Sequence, residues 1–125
     1  MIKISKLLFS LLIIFLIFMP QKVLSDQKIK IGLLVPLSGN NQEIGQLIIK
    51  TIRMAINDID SENIEVIIKD SKSNPKTSLK SAIKFKNENV KIVIGPVFYD
   101  NLIYLDEVEE IIFLSLTNKT IGLPK

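Results

Sequence analysis

The sequence predicts an α/β fold, a doubly wound parallel sheet of the order βαβαβαβ. Three observations predict it. Short apolar runs recur at 29–36, 64–69, 90–94 and 111–116. The segments between them carry helical spacing of apolar residues. Each run ends in turn residues, namely Pro36, Asp70-Ser71, Gly95-Pro96 and Thr117-Asn118.

The elements follow in chain order. Lys3 and Lys6 precede an apolar block from Leu7 to Met19, Pro20 breaks it, and Val23-Leu24-Ser25 supplies the modest side chains of a cleavage site. This order is that of a secretory signal peptide over residues 1–25, cut between Ser25 and Asp26. As a helix the block spans about 20 Å, short of the roughly 30 Å hydrocarbon core, so the expected role is export, with an uncleaved anchor as the alternative reading. The predicted destination is the periplasm, with membrane contact only through the export signal.

Residues 29–36 (IKIGLLVP) read as a strand buried on both faces, closed by Pro36. After the loop Leu37-Ser38-Gly39-Asn40-Asn41, a helix is predicted from Gln42 to about Asp60. Its stripe is Ile44, Leu47, Ile48, Ile52, Ala55, Ile56 and Ile59, with Asn40 and Glu43 as a capping box. Residues 64–69 form the second strand. Asn74 as cap and Pro75 at the first helical position open a second helix, which carries Leu79, Ala82 and Ile83 as far as Lys86 or Asn87. Residues 90–94 form the third strand. A short helix is expected from Asp100, as its cap, to Val108, before a fourth strand at 111–116.

Composition narrows the chemistry. The whole chain has 16 basic and 13 acidic residues. Lys3, Lys6 and Lys22 lie in the signal, so the remainder is balanced and gives no argument for nucleic acid. Cysteine and histidine are absent. That excludes disulfides, lipidation at the cleavage point, Ser-His or Cys-His catalysis and His-ligated metals within this chain. No cofactor is expected: the stretch Gly39 to Gly45 is neither a Walker loop nor a dinucleotide fingerprint. Asp106, Glu107, Glu109 and Glu110 read as a solvated face and not as a metal site, and Asp58 and Asp60 as surface charges.

In doubly wound sheets ligands bind beyond the carboxyl ends of the strands. That rule selects Pro36 to Asn41, Asp70 to Ser73, Gly95 to Asn101 and Ser115 to Asn118. Ser38-Gly39 is either an ordinary turn or an anion seat at a helix start. Gly95-Pro96 beside Phe98 and Tyr99 is either a plain turn or a ligand wall.

IKIGLLVPLSG (29–39), VKIVIGPVFYDN (90–101) and IIFLSLTNKT (111–120) resemble the opening of type 1 periplasmic binding proteins, the Leu/Ile/Val-binding-like solute receptors. The resemblance implies that residues 26–125 are the first part of the first of two lobes, with strand order 2-1-3-4-5 and an incomplete domain. It implies a non-catalytic receptor for a small polar ligand such as an amino acid, delivering to an ABC permease. The implied ligand-binding residues are Ser38, Gly95, Tyr99, Ser115 and Thr117. The pair Phe98-Tyr99 stands where small hydroxyl residues are expected. VPLSG and GPVF also look like the activators of penicillin-binding proteins, which implies a peptidoglycan synthase as the alternative partner.

Overall fold

The computed structural model describes residues 28–59 and 62–117. The expected signal peptide and the turn at 118–120 lie outside the described residues. The four strands are β1 (Ile29–Val35), β2 (Ile64–Asp70), β3 (Ile92–Ile94) and β4 (Ile112–Leu114). Two α-helices, α1 (Gln42–Ile59) and α2 (Pro75–Asn87), follow β1 and β2. All pairings are parallel, as the sequence predicts, and the sheet order is β2-β1-β3-β4, as the resemblance implies.

Side chains alternate across the sheet and divide the core in two. Leu34, Val93 and Phe113 face α2, where they join Ala82, Phe85, Val90, Leu105 and Val108. Leu33, Val35, Val66, Ile68 and Ile94 face α1 and meet Ile48, Ile49 and Ile52. Gly32 lies on the α2 side of β1, where an added Cβ would press on Val93 and the Phe85 ring.

Both ends of α2 form as the residue types require. The Asn74 side chain accepts a hydrogen bond from the Thr77 N–H at 3.1 Å, and Pro75 occupies the first turn. At the other end Asn89 adopts a positive φ of 60°, its N–H donates to Lys86 and the Val90 N–H donates to Phe85. That is a Schellman closure with its hydrophobic contact between Val90 and Phe85. It also explains why β3 begins at Ile92 and not at 90: the Val90 amide is spent on the helix.

Three local expectations are corrected. The segment 100–108 is not one helix. It forms 3-10 turns at Tyr99–Leu102 and Leu105–Glu107. Leu102, Leu105 and Val108 recur every third residue, so a three-residue turn aims all of them at the core. Asp100 consequently lies inside the first turn, and Phe98 is the residue before it. The Asn40–Glu43 box does not form among the described residues. The helix starts one residue later than that box requires, with the Asn41 carbonyl accepting from Ile44 and Gly45.

The third correction concerns the stripe of α1. Its apolar arc is wider than the sheet it covers: Ile48, Ile49 and Ile52 pack inward, whereas Ile44, Leu47, Met54 and Ile59 are exposed. β4 is similarly bare. Phe113 packs toward α2, but Ile112 and Leu114, on the α1 side, are 63% and 52% exposed. A bare apolar edge strand is a template for association. Taken in isolation, residues 28–117 are expected to self-associate through this edge, and Leu114→Lys to reduce this, as light scattering would show. Unchanged association of the variant would clear the β4 edge. Among the described residues, no helix is long and apolar enough to cross a membrane.

Candidate functional site

Parallel register brings the strand ends into one row. Val35 pairs with Asp70, Leu33 with Ile94, and Ile94 with Leu114. The loops that follow therefore leave the sheet at the same edge, and they carry the residues Ser38, Gly95, Tyr99, Ser115 and Thr117.

The first two loops are tied together by Asp70, the last residue of β2. Its Oδ1 accepts from the Leu37 N–H and the Lys72 N–H, each at 2.8 Å. Its Oδ2 accepts from the Ser38 hydroxyl at 2.7 Å. A second strap runs from Asn41 Nδ2 to Ser73 Oγ at 3.1 Å. Lys72 and Ser73 both take positive φ, 50° each, which wraps the backbone round the carboxylate. Gly39, at φ 80°, turns the first loop into open space.

Partial burial pushes the Asp70 carboxyl up, yet the bonds from Leu37, Ser38 and Lys72, with the Lys72 charge, outweigh it and hold the carboxyl below its ordinary value. A depressed folded value means that the carboxylate stabilises the fold above the unfolded pKa of about 3.9 and loses that contribution as pH falls through the lower folded value. Asp70→Asn is expected to cost about 1–2 kcal/mol at neutral pH, because three charge-assisted bonds weaken. The gap between wild type and variant in urea denaturation should close as the pH is brought below about 4. A gap independent of pH would show that the charge does not matter.

The third and fourth loops are joined as closely. Gly95 is buried at φ 112°, and a Cβ there would overlap the Leu34 carbonyl oxygen, so only glycine fits. The Gly95–Pro96 bond is cis. The Gly95 N–H donates to Leu114 at 2.9 Å, and the Pro96 carbonyl accepts from the Leu116 N–H at 3.0 Å and the Ser115 hydroxyl at 3.4 Å. Ser115 Oγ in turn accepts from the Thr117 N–H at 3.3 Å. The Gly95 amide and the Ser115 hydroxyl thus hold one loop to the other. Phe98 and Tyr99 are half-buried at the turn that follows. Behind them Asn101 is 1% exposed, and neither atom of its amide finds a partner among the described residues.

The arrangement offers hydroxyls, one carboxylate and backbone groups around an open edge, a set suited to holding a polar molecule. Among the described residues no three acidic side chains gather as metal ligands. Glu110 is instead paired with Lys91 at 2.9 Å and Lys86 at 3.5 Å. The hydrogen bond from Lys91 and the charge of Lys86 lower its pKa. Sequence reasoning placed 70–73 among the loops but missed Asp70 as the clasp and Asn101 as a buried amide. An acidic residue directly ending an apolar run was the available signal for the first. Asn101 gave none, because its burial depends on the 3-10 geometry.

The model of the family described as periplasmic binding protein matches residues 28–108. The chain belongs to that family. Among solved structures, the chain is similar to the branched-chain amino acid transporter substrate binding protein LivJ of Streptococcus pneumoniae, solved in complex with isoleucine. Identity is 23% and the TM-score 0.62, over 70% of this chain and 28% of that one. The leucine binding protein LivK of Thermotoga maritima gives 20% and 0.59, over 64% and 24%. Full-length LpoA of Haemophilus influenzae gives 28% and 0.56, over 74% and 17%. The chain therefore spans about a quarter of the length of the first two and less of the third. No curated protein sequence matches it.

Proposed function

We propose that the chain is the amino-terminal part of an exported, non-catalytic binding protein that captures a small polar solute, such as an amino acid, for an ABC permease. On this reading residues 1–25 direct export to the periplasm, and residues 26–125 begin the first lobe of an incomplete two-lobed domain. Solute is held near Ser38, Tyr99 and Thr117, with Gly95 and Ser115 fixing the loop framework. The observation that carries this reading is the gathering of the four strand-end loops at one edge, with Asp70 locking the first two. The absence of histidine and cysteine supports a role without catalysis.

A second reading is favoured by a separate observation. LpoA, a regulator of PBP1A in Haemophilus influenzae, shares 27–28% identity, above the 20–23% of LivK and LivJ. The aromatic pair Phe98-Tyr99 and the engaged Ser115 hydroxyl suit a cleft that contacts protein, so a peptidoglycan synthase is the alternative partner.

A thermal-shift panel of amino acids and small polar metabolites separates the two. A ligand at about 100 times its Kd stabilises by roughly 2.7 kcal/mol, a rise of several degrees. A saturable rise with one compound class supports solute capture. A folded sample with no rise, which nevertheless binds an immobilised peptidoglycan synthase, would replace it with the second reading.

A further inference from the structure

We propose that the outward face of α2 docks on an anionic phospholipid surface, through Lys76, Lys80 and Lys84 with Ile83 set among them. This goes beyond the reading of the strand-end loops and holds whatever they bind. It extends membrane contact beyond the export signal.

The balanced charge of the chain after residue 25 conceals a segregation. α2 carries Lys76, Lys80, Lys84 and Lys86 and no acidic residue. Its Ser78, Ser81, Ala82 and Phe85 are buried. Lys76, Lys80 and Lys84 therefore fall on the opposite side, exposed and one helical turn apart, in a row about 12 Å long. Lys86 is held by Glu110 at 3.5 Å, and Lys69, on β2, by Glu88 at 2.8 Å. Among the described residues, the side chains of Lys76, Lys80 and Lys84 make no ion pair. The acidic residues Asp106, Glu107, Glu109 and Glu110 gather instead on the segment before β4. Within the same outward face Ile83 is 46% exposed, three residues after Lys80 and one before Lys84.

The residue types select the partner. A lysine ammonium is a compact point charge suited to a diffuse negative surface, whereas the arginine fork matches a single phosphate in two bonds. α2 has no arginine, and its one aromatic residue, Phe85, is buried. The face therefore has nothing to clamp a phosphate bidentately or to stack on a base. An exposed isoleucine among lysines gains by entering the acyl boundary of a bilayer while the charges stay at the headgroups. A nucleic acid or a charged polysaccharide offers Ile83 no such environment. The contact uses the side of α2 turned away from the sheet, so the strand-end loops stay open.

The test is co-sedimentation of the mature chain, from Asp26 onward as export leaves it, with two kinds of vesicle: phosphatidylcholine alone, and an equal mixture with phosphatidylglycerol. Binding is expected to the mixture and not to phosphatidylcholine alone, and to disappear in about 1 M salt, where the screening length is about 3 Å. Each lysine is expected to contribute about fivefold to partitioning, so Lys76→Gln, Lys80→Gln and Lys84→Gln combined should weaken it about a hundredfold. Ile83→Ser should weaken binding and leave its salt dependence unchanged. Lys50→Gln, on the exposed side of α1, should bind as wild type does. These substitutions are at exposed positions, and circular dichroism confirms that each variant is folded. Equal binding to both kinds of vesicle, or a combined lysine variant that binds as wild type does, overturns the proposal. So does a folded wild type that ignores the mixed vesicles, whether or not it binds heparin, which would mark the face as a site for polyanions and not for a membrane.

Discussion

Phe85→Ala is expected to be the most damaging single substitution, lowering stability by about 3–5 kcal/mol. Phe85 is fully buried and packs among Leu34, Ala82, Val90, Val93, Leu105 and Val108. Truncation leaves a cavity bounded on one side by the sheet, which cannot collapse inward without breaking the ladder. The ring also ties separate devices together. It forms the hydrophobic contact that closes α2 with Val90, and the Lys69 ammonium lies 5.2 Å from its centroid. Against a total of about 5–15 kcal/mol for a domain, such a loss leaves little margin. Urea denaturation should show a lower midpoint with an unchanged slope, and Phe85→Leu, which keeps most of the volume, a smaller fall. A loss below about 1 kcal/mol for the alanine variant would contradict the assigned core.

Gly45→Ala is expected to destabilise by about 2–3 kcal/mol, opposite in sign to the usual exchange inside a helix. Helix propensity alone would favour alanine by about 1 kcal/mol. Here, however, an added Cβ would overlap the Pro36 carbonyl oxygen, a backbone atom with no rotamer to escape into. The helix must tilt away from the end of β1, which pulls on Ile49 and Ile52 and on the loop that Asp70 holds. Gln46→Ala, one position along and exposed, is the control and should be nearly neutral. Equal melting temperatures for Gly45→Ala and wild type would show that α1 does not approach Pro36 so closely.

Most of the fold was legible because parallel strands covered by helices are short and rich in branched apolar residues, even where Lys30, Glu65 and Lys69 interrupt the run. The runs at 29–36 and 64–69 could therefore be read almost to the residue. Asn74-Pro75 marked its helix start for an equally local reason. The segment 100–108 was misread because apolar residues spaced by three satisfy both an α-helix and successive 3-10 turns, and only the packing against α2 chooses between them. The outward half of α1 was misread because Ile44, Leu47 and Ile59 look like core on a helical wheel, while the sheet beneath is narrower than the stripe. At the site, loop positions followed from strand ends alone. The roles inside the loops did not, since Ser38 and Asp70 are brought together only by the register of β1 with β2.

The most direct measurement of the central claim is hydrogen–deuterium exchange of the full chain with and without a mixture of the common amino acids. The account predicts slower exchange in the amides of 37–39, 70–73, 95–101 and 115–117 together, with the outer face of α1 unchanged. Unaltered exchange in all four loops, or slowing confined to another part of the surface, would contradict it.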